Sequence, residues 1–320
     1  PILLAYCLSI ILCVSFTGCM ENYLDLYPED KITSASFPEN ESDIKLLLNG
    51  VYAQLREKEV YNQGLFGFGI TDGATPNAFN WGTDEVFNKL GAGRLSSSDG
   101  GVVTYRWKRC YEIISRANYL LACMDLVDLS EEAKAKYSGE THFLRGLAYS
   151  VLAETYGGVP IILTDISTEE ARSLKRASLE ETWQQALDDY EVAITNLGVD
   201  APEPGRATKG AALGMKMRAY LYQGKYKEVL SCVEQIDALK KYGLFHSYEG
   251  LFDPANENNK EVLFDIQYIE GENSQGSYID QYCGTGTGSW TRGSRYVPTD
   301  DLVAAYETID GSPVDPENPY

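Results

Sequence analysis

Apolar positions recur at helical spacing along most of the chain and lose that spacing in two long stretches. Ile44, Leu47, Leu48, Val51, Tyr52 and Leu55 fall at i, i+3, i+4, i+7, i+8 and i+11, which predicts a helix over 42–60. Trp107, Cys110, Tyr111, Ile114, Ala117, Leu120 and Leu121 mark a second over 102–126. Ser130-Glu131-Glu132 opens a third, with a capping side chain and acids in the first turn, where unpaired N–H groups favour negative charge. It carries Phe143, Leu144, Leu147, Ala148, Val151 and Leu152 to a stop at Gly157-Gly158, with Pro160 beyond. Ser178-x-x-Glu181 matches a capping box for a helix to Leu197. A Pro-rich turn at 202–205 then leads to helices over 208–223 and 225–241, broken at Gly224.

Extended structure is sparse in this pattern. Residues 159–163 read as a short extended stretch, and 262–269 as a strand with Val262, Phe264, Ile266 and Tyr268 on one face. A last short helix covers 299–306. Periodicity fails over 61–101 and again over 271–295, where Gly, Ser and aromatic residues dominate. Loops of that length inside a domain are uncommon and are often functional. The two helices around Gly224 have tetratricopeptide character: small Ala211, Ala212 and Ala219 in the first, Gly224 and Tyr226 at the turn, and an apolar second helix. The expected fold class is therefore mainly α, a tetratricopeptide-like helical-repeat scaffold with long irregular loops and few short strands.

The first twenty residues carry no charge, and 2–16 is an apolar run of the length of a secretory core segment, shorter than the roughly 20 residues of a spanning helix. It ends in Phe16-Thr17-Gly18-Cys19, which resembles a bacterial lipobox with Cys19 as the lipidated residue. The expected organisation is a signal peptide over 1–19 and one helical domain over 20–320; an uncleaved transmembrane anchor is the alternative. The chain opens on Pro1 and stops at Tyr320, so both ends read as cut, with a C-terminal part expected beyond.

Composition then narrows the partners. The 47 acidic residues against 27 basic ones give a net charge of −20, which repels nucleic acid in the absence of a basic stripe, and there is none. Cys110, Cys123, Cys232 and Cys283 lack zinc or redox spacing and read as buried thiols. Two histidines, His142 and His246, leave little room for His-rich metal or catalytic sites and read as structural. Gly284-x-Gly286-x-Gly288 has the wrong third spacing for a dinucleotide fingerprint. Residues 253–259 lack the alternating oxygens and central Gly of an EF-hand, although an acidic loop could hold calcium. No cofactor, metal site or catalytic residue is expected.

Five blocks in order carry a family resemblance. Glu140-Thr-His-Phe-Leu-Arg-Gly-Leu-Ala-Tyr149 with Tyr156-Gly-Gly-Val-Pro160, and Trp107 with Cys110-Tyr-Glu-Ile-Ile-Ser-Arg-Ala-Asn118, resemble the SusD/RagB family. Ala219-Tyr-Leu-Tyr-Gln-Gly-Lys-Tyr226, Asn256-Glu-Asn-Asn-Lys-Glu-Val-Leu-Phe264 and Pro298-Thr-Asp-Asp-Leu-Val-Ala-Ala-Tyr306 are similar to three further segments of it. The resemblance implies a surface-exposed outer-membrane lipoprotein, palmitoylated at Cys19. It would bind glycan, be non-catalytic, and sit as a lid on a SusC-like TonB-dependent transporter.

A neutral glycan is held by aromatic faces stacked on sugar C–H surfaces and by hydrogen bonds from amide, acidic and guanidinium groups. Candidates are therefore aromatics on loops with such neighbours. The 61–101 region offers Asn77, Phe79, Asn80, Trp81 and Asp84; the 271–296 region offers Tyr278, Gln281, Tyr282, Trp290, Arg292 and Tyr296. The candidate glycan-binding residues are Asn77, Asn80, Trp81, Asp84, Tyr278, Tyr282, Trp290, Arg292 and Tyr296. Trp81 and Trp290 are open between ligand contact and loop packing, whereas Trp107 and Trp183 lie on helix stripes and read as core. Two other functions compete: a helical glycoside hydrolase with two carboxylates about 5–9.5 Å apart, and a protein-binding helical scaffold.

Overall fold

The structure is a computed structural model that describes residues 37–56, 72–80, 89–96, 98–268 and 296–315. The chain divides into two units, 1–39 and 40–320. The second unit begins with α1 (Glu41–Tyr52), capped by the Asn40 side chain on the Asp43 N–H and burying Ile44, Leu48 and Val51. The apolar stripe runs on, but the backbone tightens into a 3-10 turn at Ala53–Arg56 that buries Leu55. The expected helix over 42–60 thus ends eight residues earlier in α-helical form, and 57–60 lie outside the described residues.

The main helices follow the periodic blocks. They are α2 (Val102–Cys123), α3 (Glu131–Tyr156), α4 (Thr168–Ser173), α5 (Leu179–Asn196), α6 (Lys209–Tyr222) and α7 (Tyr226–Ala238). The central member, α3, packs against α1, α2, α5 and α6, and α7 packs on α6. This is a mainly helical layered array of neighbouring pairs, as the spacing predicts. Both capping boxes form, at Ser178/Glu181 and at Ser167/Glu170. The second of these opens α4, a helix too short for apolar spacing to reveal, although Ser167-x-x-Glu170 is its legible signature.

Close approach of α3 to α5 depends on Gly146: a Cβ there would lie 3.0 Å from Tyr190 Cε1 and 3.1 Å from the Ala186 carbonyl oxygen. Phe143, Leu144, Leu147, Tyr149 and Leu152 of α3 are buried, with Trp183 and Tyr190 of α5 against them. Trp107 is half-buried and packs edge-on against Tyr156, with ring centroids 5.2 Å apart. Both helix-stripe tryptophans are therefore packing residues. Cys110, Cys123 and Cys232 are buried free thiols, and burial pushes Cys110 up to about 12; Cys283 lies outside the described residues.

Polar side chains from α3 tie the array together. Arg145 donates from Nε and Nη2 to Asp189 at 3.0 and 2.7 Å and from Nη1 to Asn118 Oδ1 at 2.8 Å, all buried. Asn118 passes the link on, donating from Nδ2 to the carbonyl of Ile162 at 3.0 Å. The Tyr149 hydroxyl donates to the Ile162 carbonyl at 2.9 Å and accepts from the Ile162 N–H at 2.8 Å; Tyr111 donates to Pro160 at 2.6 Å. Residues 160–163 are held by side chains and pair with no strand among the described residues.

One turn higher, Glu140 is 1% exposed and accepts from the Tyr52 hydroxyl at 2.8 Å and from Arg206 Nη1 at 3.4 Å. The same Tyr52 oxygen accepts from the Ala207 N–H at 2.9 Å, and Arg206 lies over the Tyr52 ring at 5.0 Å. Burial raises the Glu140 carboxyl above its ordinary value, against the lowering pull of the Tyr52 bond and the Arg206 charge. Burial acts on His142 in the opposite direction, lowering it, while its Nδ1 sits 2.8 Å from the Ser138 carbonyl oxygen, so it is structural. The Glu140–Tyr149 block thus reads as three locks: Glu140 on α1 and the 203–207 turn, Arg145 on α5 and α2, and Tyr149 on the 160–163 segment.

One expectation fails. Residues 262–269 were expected to form a strand; 262–268 pair with no other strand among the described residues, and 269 lies outside them. Phe264 and Ile266 nevertheless pack on the core, so the alternation records burial without a paired neighbour among the described residues. The described strands are instead β1 (Ala78–Asn80) and β2 (Tyr296–Pro298), followed by α8 (Asp300–Ala304).

Candidate ligand-binding site

The two strands pair antiparallel, with Ala78 opposite Pro298, Phe79 opposite Val297 and Asn80 opposite Tyr296. This ribbon joins the two aperiodic regions, which lie far apart in the chain. Thr299 fastens it: its N–H donates to the Asn77 carbonyl at 3.0 Å, and its hydroxyl donates to the Pro76 carbonyl. The same hydroxyl oxygen accepts from the Leu302 N–H at 3.2 Å, capping α8. On the other strand, Asn77 N–H donates to Thr75 Oγ1 at 3.1 Å and Thr75 donates to the Asp72 carbonyl at 2.8 Å, which closes the turn into β1.

Of the nine candidate residues, Asn77, Asn80 and Tyr296 fall on described backbone. Asn80 and Tyr296 are direct cross-strand partners in the backbone register. Asn77 is exposed one residue before β1. Trp81, Asp84, Tyr278, Tyr282, Trp290 and Arg292 lie outside the described residues, as do Gln281 and the lipidation candidate Cys19. Phe79, part of the same aromatic run, is 51% exposed opposite Val297.

Further along the first region, Lys89 pairs with Asp99 at 2.8 Å, and Asp99 Oδ2 accepts from the Ser96 N–H at 2.7 Å. The hydrogen bond from Lys89, with that from the Ser96 backbone, holds the half-buried Asp99 carboxyl at about 2. This acid is thus charged at any working pH and belongs to loop closure. Among the described residues no group of His, Cys, Asp and Glu could hold a metal ion, and no helix is long and apolar enough to cross a membrane. The ribbon and the role of Thr299 were not read from sequence. Three-residue strands are too short for a period of two, and Thr299 was legible only as a helix cap.

Comparison with known proteins gives one consistent result. Residues 22–221 match a SusD-like family model described as starch-binding associating with outer membrane. SusD-like protein P25 of Formosa agariphila is 27% identical over 301 residues, covering 87% of this chain and 55% of that protein. A crystal structure of a SusD-like carbohydrate binding protein from Bacteroides fragilis superposes with a TM-score of 0.75 at 27% identity, over 87% of this chain and 55% of the other. A second B. fragilis SusD-like protein gives a TM-score of 0.75 at 26% identity, over 91% and 57%. The chain therefore spans a little over half the length of the relatives it matches.

Proposed function

The chain belongs to the SusD-like family, and on that premise we propose that it is a cell-surface glycan-binding protein whose ligand site straddles the β1–β2 ribbon. The observation that carries this reading is the register that sets Asn80 opposite Tyr296. It makes neighbours of two segments that were each singled out for loop aromatics with amide and charged groups. Asn77, Asn80, Trp81 and Asp84 would contribute from one side of the ribbon, and Tyr278, Tyr282, Trp290, Arg292 and Tyr296 from the other. The carbohydrate-binding B. fragilis relative at 27% identity supports the ligand class.

The reading continues beyond binding. The protein captures oligosaccharide or polysaccharide without cleaving it and passes it to a SusC-like TonB-dependent transporter. Cleavage ahead of Cys19 and lipidation of that residue hold it on the outer membrane, in keeping with the family's association with that membrane. Affinity electrophoresis against a polysaccharide panel, run beside reducing-sugar assays, tests the central claim. Retardation on at least one glycan, lost in Trp81→Ala and Trp290→Ala with no sugar released, is the expected result. Release of reducing sugar would replace the binder with a hydrolase, and no retardation on any glycan would favour the protein-binding scaffold.

A further inference from the structure

Phe264–Tyr268 has the side-chain order of a strand and, among the described residues, none of its ladder hydrogen bonds. Phe264 and Ile266 pack on the core, and Phe264 meets Phe143 edge-on at 4.9 Å. Asp265 and Gln267 turn to the other side, where Gln267 Nε2 donates to Asp265 Oδ2 at 2.5 Å. A period of two means an extended backbone. Yet, apart from the Asp265 N–H that turns to its own carboxylate, no backbone N–H or C=O of these five residues has a hydrogen-bonding partner among the described residues. Phe264, Asp265 and Ile266 are half-buried, and backbone polar groups that lose their remaining water on covering need a partner in its place.

The space beside the segment is open and firmly walled. Phe264–Gln267 lines a groove of about 330 Å³ and Val262–Asp265 one of about 280 Å³, on the two flanks of the 203–206 turn. Arg206 fixes that turn through Glu140, through Asn49 Oδ1 at 2.6 Å and through Glu203 at 3.3 Å. Gly205, at a φ of +78°, brings it so close to Gln267 that a Cβ would lie 2.7 Å from Gln267 Cγ. A preformed wall beside an unpaired extended edge is the arrangement that accepts an added strand.

We propose that Phe264–Tyr268 is the acceptor edge for one further β-strand of the same polypeptide, drawn from the length that the matched relatives have and this chain does not span. Two observations favour that occupant over a short peptide from elsewhere. The relatives carry a little under half their length without a counterpart here. The helical hairpin that precedes the edge is also uncovered, with Tyr226, Leu230 and Val233 of α7 at i, i+4 and i+7 and 67%, 64% and 37% exposed. An open backbone edge and an open apolar helix face together call for a substantial piece of chain.

Hydrogen exchange by mass spectrometry on the 320-residue chain and on the product of its complete coding frame tests this. Amides 264–268 should exchange freely in the first and at least about 100-fold more slowly in the second, as for a paired strand. Equal exchange in both, or a coding frame that adds no polypeptide, overturns the proposal. So does slow exchange already present in the 320-residue chain: dependence on protein concentration would assign the edge to a second copy, and independence to pairing within this chain. Protection of the complete product that arises only with a transporter partner added also overturns it.

Discussion

The helical array and the β1–β2 ribbon are held by opposite means. In the array, α3 buries Glu140, Arg145 and Tyr149 and uses each to tie down another element, so every lock lies in a low-dielectric interior where a lost partner is costly. The ribbon has three residue pairs, one fastening threonine and an exposed Phe79. The first arrangement defines shape and resists change. The second joins two segments far apart in the chain through a short, local set of bonds.

Breaking the Arg145 lock should have the largest effect. Arg145→Ala leaves Asp189 buried and charged, with Asn118 Oδ1 unpaired, and should cost about 3–5 kcal/mol in urea denaturation. A loss below about 1 kcal/mol would mean that the array does not depend on this pair.

The Glu140 lock gives a pH signature of intermediate size. Its folded carboxyl is raised above the ordinary 4.5 chiefly by burial. The folded state therefore holds this proton more tightly than the unfolded chain. Its contribution is fully present below 4.5 and is lost as pH rises through the folded value. Glu140→Gln does not titrate, so the stability of the unsubstituted protein should fall relative to the variant across that interval. A gap that moves the other way as pH rises would contradict the burial argument.

The smallest effect on stability, and the sharpest contrast, belongs to Thr299→Ala. It removes the α8 cap and the bond to Pro76, a local loss of about 1 kcal/mol. Global unfolding should shift by less than about 0.5 kcal/mol, because the array does not depend on the ribbon. Glycan retardation should nevertheless weaken, since the ribbon aligns the two loop regions. Unchanged retardation with a measurably loosened ribbon would separate the site from it.

How much of this was legible in the chain depended on the length of each element. Helices of twelve or more residues repeat their apolar stripe several times, so 102–123, 131–156, 179–196 and 209–222 were readable to within a few residues. The α4 helix has six residues and no buried side chain, and only its capping box betrays it. The strand expected at 262–269 shows the limit from the other side: alternation recorded which side chains meet the core, and could not say whether a neighbour exists to take the backbone bonds. For the candidate site, composition picked out two regions, but their adjacency rests on a register between segments with no sequence relation to each other.

The sequence by itself determined the helical class, the caps, the buried thiols and the family, because these depend on local periodicity, side-chain chemistry and ordered blocks. Tertiary structure alone decided that Asn80 pairs with Tyr296 across a ribbon, that Glu140 and Arg145 serve as interior locks, and that 264–268 pairs with no strand among the described residues. Each of those is a relation between distant segments. Such relations follow from which surfaces meet when the chain closes, and no spacing along the chain encodes them.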